Sequence, residues 1–126
     1  FTPELVRRLL TTYPNLYYDL ATGNPGRRYQ CNKNVLDTVL WEDTFMGQSD
    51  RLKPAYKAIL AEFSQRFVAG TDYGGGRKPL PEFLPERVAN LRLILSQLPD
   101  AAQHNIGYRN AWALLTGKAW SAGRSD

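Results

Sequence analysis

Asp72 is the residue best placed to do chemistry. It closes the run Arg66-Phe67-Val68-Ala69-Gly70-Thr71-Asp72 and stands directly before Tyr73-Gly74-Gly75-Gly76, so a short buried strand passes into a glycine-rich loop at a carboxylate. In parallel α/β architectures ligands and catalytic groups gather at the carboxyl ends of the strands, where loops vary freely while the strands hold their first residues rigidly. A carboxylate fixed there can orient a water molecule and accept its proton. It can equally be an aspartate that caps the strand end, and the residue alone leaves both roles open. Strand alternation puts Val68, Gly70 and Asp72 on one side. The missing side chain of Gly70 then leaves room above it for a ligand or metal.

The other reactive residue types are sparse. His104 is the one histidine, with no second imidazole at ligand spacing, whereas a catalytic zinc site usually draws on about three protein ligands; an ordinary surface or packed residue is the favoured reading. Gly74-Gly75-Gly76-Arg77-Lys78 offers successive amides and two cations to an anion. It lacks the glycine, lysine and hydroxyl spacing of a phosphate-binding loop, and the prolines at 79 and 81 oppose an immediate helix, so a flexible active-site loop is preferred. Tyr73 and Arg77 in that loop, with Arg27 and Trp41 in residues 22–50, are the weaker candidates for substrate contact. A connection as long as 22–50 is more often a functional lid than slack chain. For Trp41 the plain alternative is hydrophobic anchoring of that loop.

These residues need elements to hold them. Thr2-Pro3-Glu4 opens a helix, with Leu5, Val6, Leu9 and Leu10 along one stripe and Arg7 and Arg8 turned outward, to its end at Tyr13-Pro14. Asn15–Ala21 reads as a strand with Leu16, Tyr18 and Leu20 on one side and Tyr17, Asp19 and Ala21 on the other; Asp19 is expected on the inner side, buried and in need of a partner. A second helix starts at Pro54, carries Tyr56, Ile59, Leu60 and Phe63 on its apolar face, and leads into the Asp72 strand. Pro85-Glu86 starts a third, with Val88, Leu91, Leu95 and Leu98 at helical steps. A further helical segment from Pro99-Asp100 passes His104 and Ile106 and breaks near Gly107. Asn110 then caps a last helix to Thr116, stopped by Gly117. Residues 118–126 read as a loose tail.

Composition bounds the partners. A chain of 126 residues with 43% hydrophobic content suits one compact domain. No apolar run approaches the roughly 20 residues that cross a bilayer, and no secretory signal pattern is present. The lone Cys31 excludes an internal disulfide framework and fits a reducing compartment, so the cytoplasm is expected. The net charge of +4 is scattered over Arg7-Arg8, Arg27-Arg28 and Arg77-Lys78, with acidic residues between them. A nucleic-acid reader concentrates its cations on one face. Neither nucleic acid nor membrane is therefore expected as a partner.

The alternation of helix, strand, helix, strand and helix implies parallel strands with right-handed crossovers. Two strands cannot cover both faces of such a sheet alone, so the chain is expected to be part of a larger unit. The blocks Leu9-Leu10-Thr11-Thr12-Tyr13-Pro14-Asn15-Leu16-Tyr17-Tyr18-Asp19-Leu20-Ala21, Arg66-Phe67-Val68-Ala69-Gly70-Thr71-Asp72, and Asn110-Ala111 with Leu114-Leu115 and Gly117 resemble the C-terminal part of an amidohydrolase-related metal-dependent hydrolase of the amidohydrolase superfamily. The resemblance implies an α/β fold: residues 1–118 would be the C-terminal portion of a TIM-like (β/α)8 barrel, supplying its seventh and eighth strands, with 119–126 as a tail. It implies hydrolysis of an amide, lactone or related bond, or non-oxidative decarboxylation, of a small-molecule substrate. Asp72 would match the last-strand carboxylate that ligates the metal or takes a proton from the nucleophilic water. The divalent ion, zinc by expectation, would depend on histidines of the N-terminal part of the barrel, upstream of Phe1. This chain alone would then be inactive and bind metal poorly; homo-oligomerisation is compatible with it. The competing expectation is a small non-enzymatic α/β binding module that uses its aromatics as an interface.

Overall fold

The computed structural model describes residues 2–20, 29–31, 34–36, 40–44, 47–71 and 83–122. It is a small mixed α/β arrangement, mostly helical, with three two-stranded pairings. Helix α1 (Pro3–Thr12) forms where the cap and stripe predict it: Thr2 Oγ1 accepts from the Leu5 N–H at 3.3 Å, and Val6 and Leu10 are buried while Arg7 and Arg8 face out. Helix α2 (Pro54–Glu62) buries Tyr56, Ile59 and Leu60. The two helices are joined across their exposed faces by an Arg7–Glu62 ion pair.

Strands β1 (Tyr18–Asp19) and β6 (Phe67–Val68) pair in parallel, Tyr18 with Phe67 and Asp19 with Val68. The Leu20 N–H extends the ladder to the Val68 carbonyl at 3.0 Å. The side chain of Arg66 sets the entry to both strands, donating from Nε to the Leu16 carbonyl at 2.9 Å and from Nη2 to those of Tyr13 and Leu16 at 2.6 Å. Its guanidinium also lies 5.2 Å from the Tyr17 ring centroid. β1 is shorter than the expected strand, and its inner side is the reverse of the expected one. Leu20 is buried with Leu16 and Tyr18 half-buried, while Asp19 and Tyr17 are exposed. Apolar area on the leucine and tyrosine face outweighs anything the carboxylate face could offer the core.

Residues 22–50 contain strands. β2 (Tyr29–Cys31) pairs antiparallel with β3 (Asn34–Leu36), and β4 (Trp41–Thr44) with β5 (Gly47–Leu52), with a register irregularity between Trp41 and Asp43. β5 is tied to the helical layer by Gln97, whose Oε1 accepts from the Leu52 N–H and whose Nε2 donates to the Asp50 carbonyl, both at 2.9 Å. One side-chain amide thus meets the strand as a neighbouring strand would.

Helix α3 (Phe83–Leu95) is followed by α4 (Asp100–His104) and α5 (Asn110–Thr116). The expected break at Gly107 is instead a π-helical turn over Asn105–Arg109 that keeps the two helices continuous. In this turn the Asn110 N–H reaches the Asn105 carbonyl, so the Ile106 carbonyl loses the partner an α-helix would give it. It accepts instead from Ala69 N–H, just beyond β6, at 2.9 Å. Asn110 does not cap a helix, because Arg109 before it is already helical at φ −64° and ψ −42°. Its Nδ2 donates to the Ser64 and Phe67 carbonyls, both at 2.7 Å. Gly117 ends α5 at φ 68°, the left-handed conformation expected of it. Trp120 packs back on Tyr108 and Trp112, at ring-centroid distances of 5.0 and 5.3 Å, so this part of the tail is docked.

Trp41, Ile59, Leu60, Ile94 and Ile106 are the fully buried centre of one core that includes Val6, Leu10, Leu20, Phe67 and Leu98. No helix among the described residues is long and apolar enough to cross a membrane.

Candidate functional site

Parallel pairing sends β1 and β6 to the same end of the molecule, where Asp19 and Leu20 lie beside Ala69, Gly70 and Thr71. The backbone here is held from behind. Ala69 N–H is bound by the Ile106 carbonyl, Phe67 O by Asn110, and Thr71 O accepts from Nη1 of Arg87, on α3, at 2.7 Å. The Arg87 bond is partly buried and its donor charged, a combination roughly twice as strong as a neutral pair.

The space above Gly70 is not open. A Cβ built on Gly70 would lie 2.2 and 2.4 Å from the two carboxylate oxygens of Asp19 and 2.6 Å from its Cγ. The room expected for a ligand or metal is filled by a carboxylate of this chain. Asp19 is exposed and has no hydrogen-bond partner among the described residues, so the described strand ends present one unpaired acidic group. Its spacing from Gly70 in sequence gave no hint of this contact; only the parallel register creates it.

Of the residues singled out from sequence, Asp72, Tyr73, Arg77 and Arg27 lie outside the described residues. Trp41 has no exposed surface and sits opposite Leu52 within the core. His104 is exposed on α4 and packs at 5.8 Å against Tyr108. Among the described residues no three His, Cys, Asp or Glu converge to hold a metal ion. One unpaired carboxylate is a hard oxygen donor but falls short of a ligand set. The described residues therefore do not make up a complete metal site.

One residue beyond those expected, Arg87, bears on this end of the sheet. Asn90, one turn along the same helix, has a buried Nδ2 with no hydrogen-bond partner among the described residues. Two surface clefts, of about 510 and 670 Å³, lie elsewhere. One runs between α1 and α2 along Arg7, Thr11 and Ala58, the other beside β5 along Asp50, Lys57 and Gln97, and neither is lined by the strand ends. Burial pushes the Tyr56 phenol above its ordinary pKa, with the Glu4 carboxylate adding to the shift.

Comparison with protein-family models, with curated proteins and with solved structures found no match.

Proposed function

We propose that the chain is the C-terminal segment of a metal-dependent hydrolase of amide, lactone or related bonds, or of a non-oxidative decarboxylase, and that it contributes Asp72 to the active site. One observation carries this reading: two strands distant in sequence, each preceded by a helix, pair in parallel, so the segment through Gly70, two residues before Asp72 in sequence, runs out beside the Asp19 end of its neighbour. That is the arrangement of adjacent strands in a (β/α)8 barrel, whose chemistry sits at this end. In the proposed role the Asp72 carboxylate orients a water molecule and takes its proton. Zinc and its histidine ligands would belong to protein outside this chain, as would the remaining strands.

A second reading is favoured by the exposed apolar surface on α5 and beyond. Trp112 is 43% exposed, Trp120 41% and Leu115 86%, and such a patch fits the interface of a small binding module. Under the first reading the same surface is where the rest of the barrel packs.

The deciding experiment uses the whole protein that carries this chain. Wild type and Asp72→Asn are purified, their zinc content is measured, and both are assayed against a panel of aryl amides, lactones and aromatic carboxylates. The expected result is stoichiometric zinc and turnover of one class, with a loss of about a hundredfold or more in Asp72→Asn, the scale of a removed general base. A protein without zinc and without turnover, or an Asp72→Asn variant that keeps its turnover, sinks the hydrolase reading.

A further inference from the structure

We infer that the Asp19 carboxylate is a binding group for a cationic nitrogen; that the cation belongs to the substrate rests on the proposed hydrolase reading. Asp19 closes β1, and the parallel register sets it beside Val68, two residues before Gly70. Both carboxylate oxygens lie over Gly70, in the place a side chain there would take. A glycine at a strand end costs backbone entropy and often marks a close approach by another group. Here the approaching group is Asp19, and a carboxylate that served solubility alone would need no such space. The group is exposed and has no hydrogen-bond or ion-pair partner among the described residues. An acceptor held in this way draws charged N–H donors and opposes a second carboxylate in the same place. Within the proposed function this selects amides or lactones that carry an ammonium group, and sets hydrolysis ahead of decarboxylation of an aromatic acid.

The test is made on isotopically labelled whole protein by NMR, with benzylamine as the cationic probe and benzyl alcohol and benzoate as its neutral and anionic counterparts. The backbone amide at position 70 reports binding. Asp19→Asn removes the charge and keeps the shape, whereas Gly70→Ala keeps the charge and displaces it; thermal unfolding shows that each variant is folded. Benzylamine is expected to shift the amide signal saturably while the other two probes do not. Both variants should weaken its binding by about fivefold, the upper scale of an exposed ion pair. Equal binding of the three probes, or unchanged binding in Asp19→Asn, overturns the inference. So does a loss in Asp19→Asn without one in Gly70→Ala, which would be a response to overall charge and not to a carboxylate held over Gly70. If benzylamine binds as expected but the protein lacks zinc and turnover, the hydrolase reading has failed and the cation site stands. If turnover is found and an aromatic carboxylate is preferred to an aryl amide bearing an ammonium group, the substrate class is overturned.

Discussion

The carboxylate of Asp19 lies across Gly70, so close that a methyl group on Gly70 would sit 2.2 Å from one of its oxygens. Gly70 is required here for space, since its backbone is not in the left-handed region; among the described glycines only Gly117 has positive φ. Asp19 is short and exposed, so in Gly70→Ala it must rotate to another well. The expected cost is about 1 kcal/mol, the scale of a forced side-chain rotation. Most of that cost disappears in the Asp19→Ala, Gly70→Ala double variant. Urea denaturation of the four members of the cycle measures the coupling, and additive effects would show that the contact is not felt.

Gln97 holds the edge of β5 with both ends of its amide. Gln97→Ala is expected to cost about 1 to 3 kcal/mol, because a backbone donor and acceptor lose their partner. Gln97→Glu keeps the acceptor for Leu52 but turns a carboxylate oxygen toward the Asp50 carbonyl. Its protonated form, which can donate, is favoured in the fold, so its folded pKa is raised. The stability it recovers is full below the ordinary glutamate pKa of about 4.3 and is lost as pH rises through the folded value. Denaturant midpoints from pH 4 to 7 would show the slope, and a flat profile would contradict this geometry.

Asn110 is buried and donates to two carbonyls that the turn between α2 and β6 leaves over. Asn110→Ala should cost about 2 kcal/mol and Asn110→Asp more, since the carboxylate faces two acceptors. If the two variants are equally stable at pH 7, the side chain does not hold the turn as described.

The raised pKa of Tyr56 has a direction in stability. The fold favours the neutral phenol, so this contribution is complete below the unfolded value of about 10 and is lost as pH climbs through the raised folded value. Tyr56→Phe should flatten the alkaline limb of the stability profile between about pH 9 and 11; an unchanged limb would mean that other groups set it.

Much of the helical frame was legible because local and periodic signals agreed. Thr2-Pro3-Glu4 caps α1, Pro54 starts α2, Gly117 stops α5, and the parallel neighbours β1 and β6 follow from helix–strand alternation. The hairpins of residues 29–52 were not legible, because strands such as Gly47-Gln48-Ser49-Asp50-Arg51-Leu52 carry almost no apolar alternation. β5 is held in part by a partner distant in sequence, Gln97. Asn110 misled for a related reason: an asparagine before an apolar run has the form of a cap, and only the packed structure shows its amide spanning to Ser64 and Phe67. The inner face of β1 was read the wrong way round because alternation gives two faces without saying which is covered. At the site, the strand-end geometry was legible to the level of the parallel pair. The Asp19–Gly70 contact and the reach of Arg87 depend on register and crossover, which no local pattern encodes.

The π-helical turn over Asn105–Arg109 also makes the length of this segment matter. Removing one residue from inside this turn would let the same Asn110 N–H and Asn105 carbonyl close an ordinary α-helical bond, so the helix beyond would keep its register. The Ile106 carbonyl would return to the helical ladder and be lost to Ala69. The extra residue between Asn105 and Asn110 therefore serves the neighbouring strand: it lends that strand an acceptor that a regular helix would keep for itself.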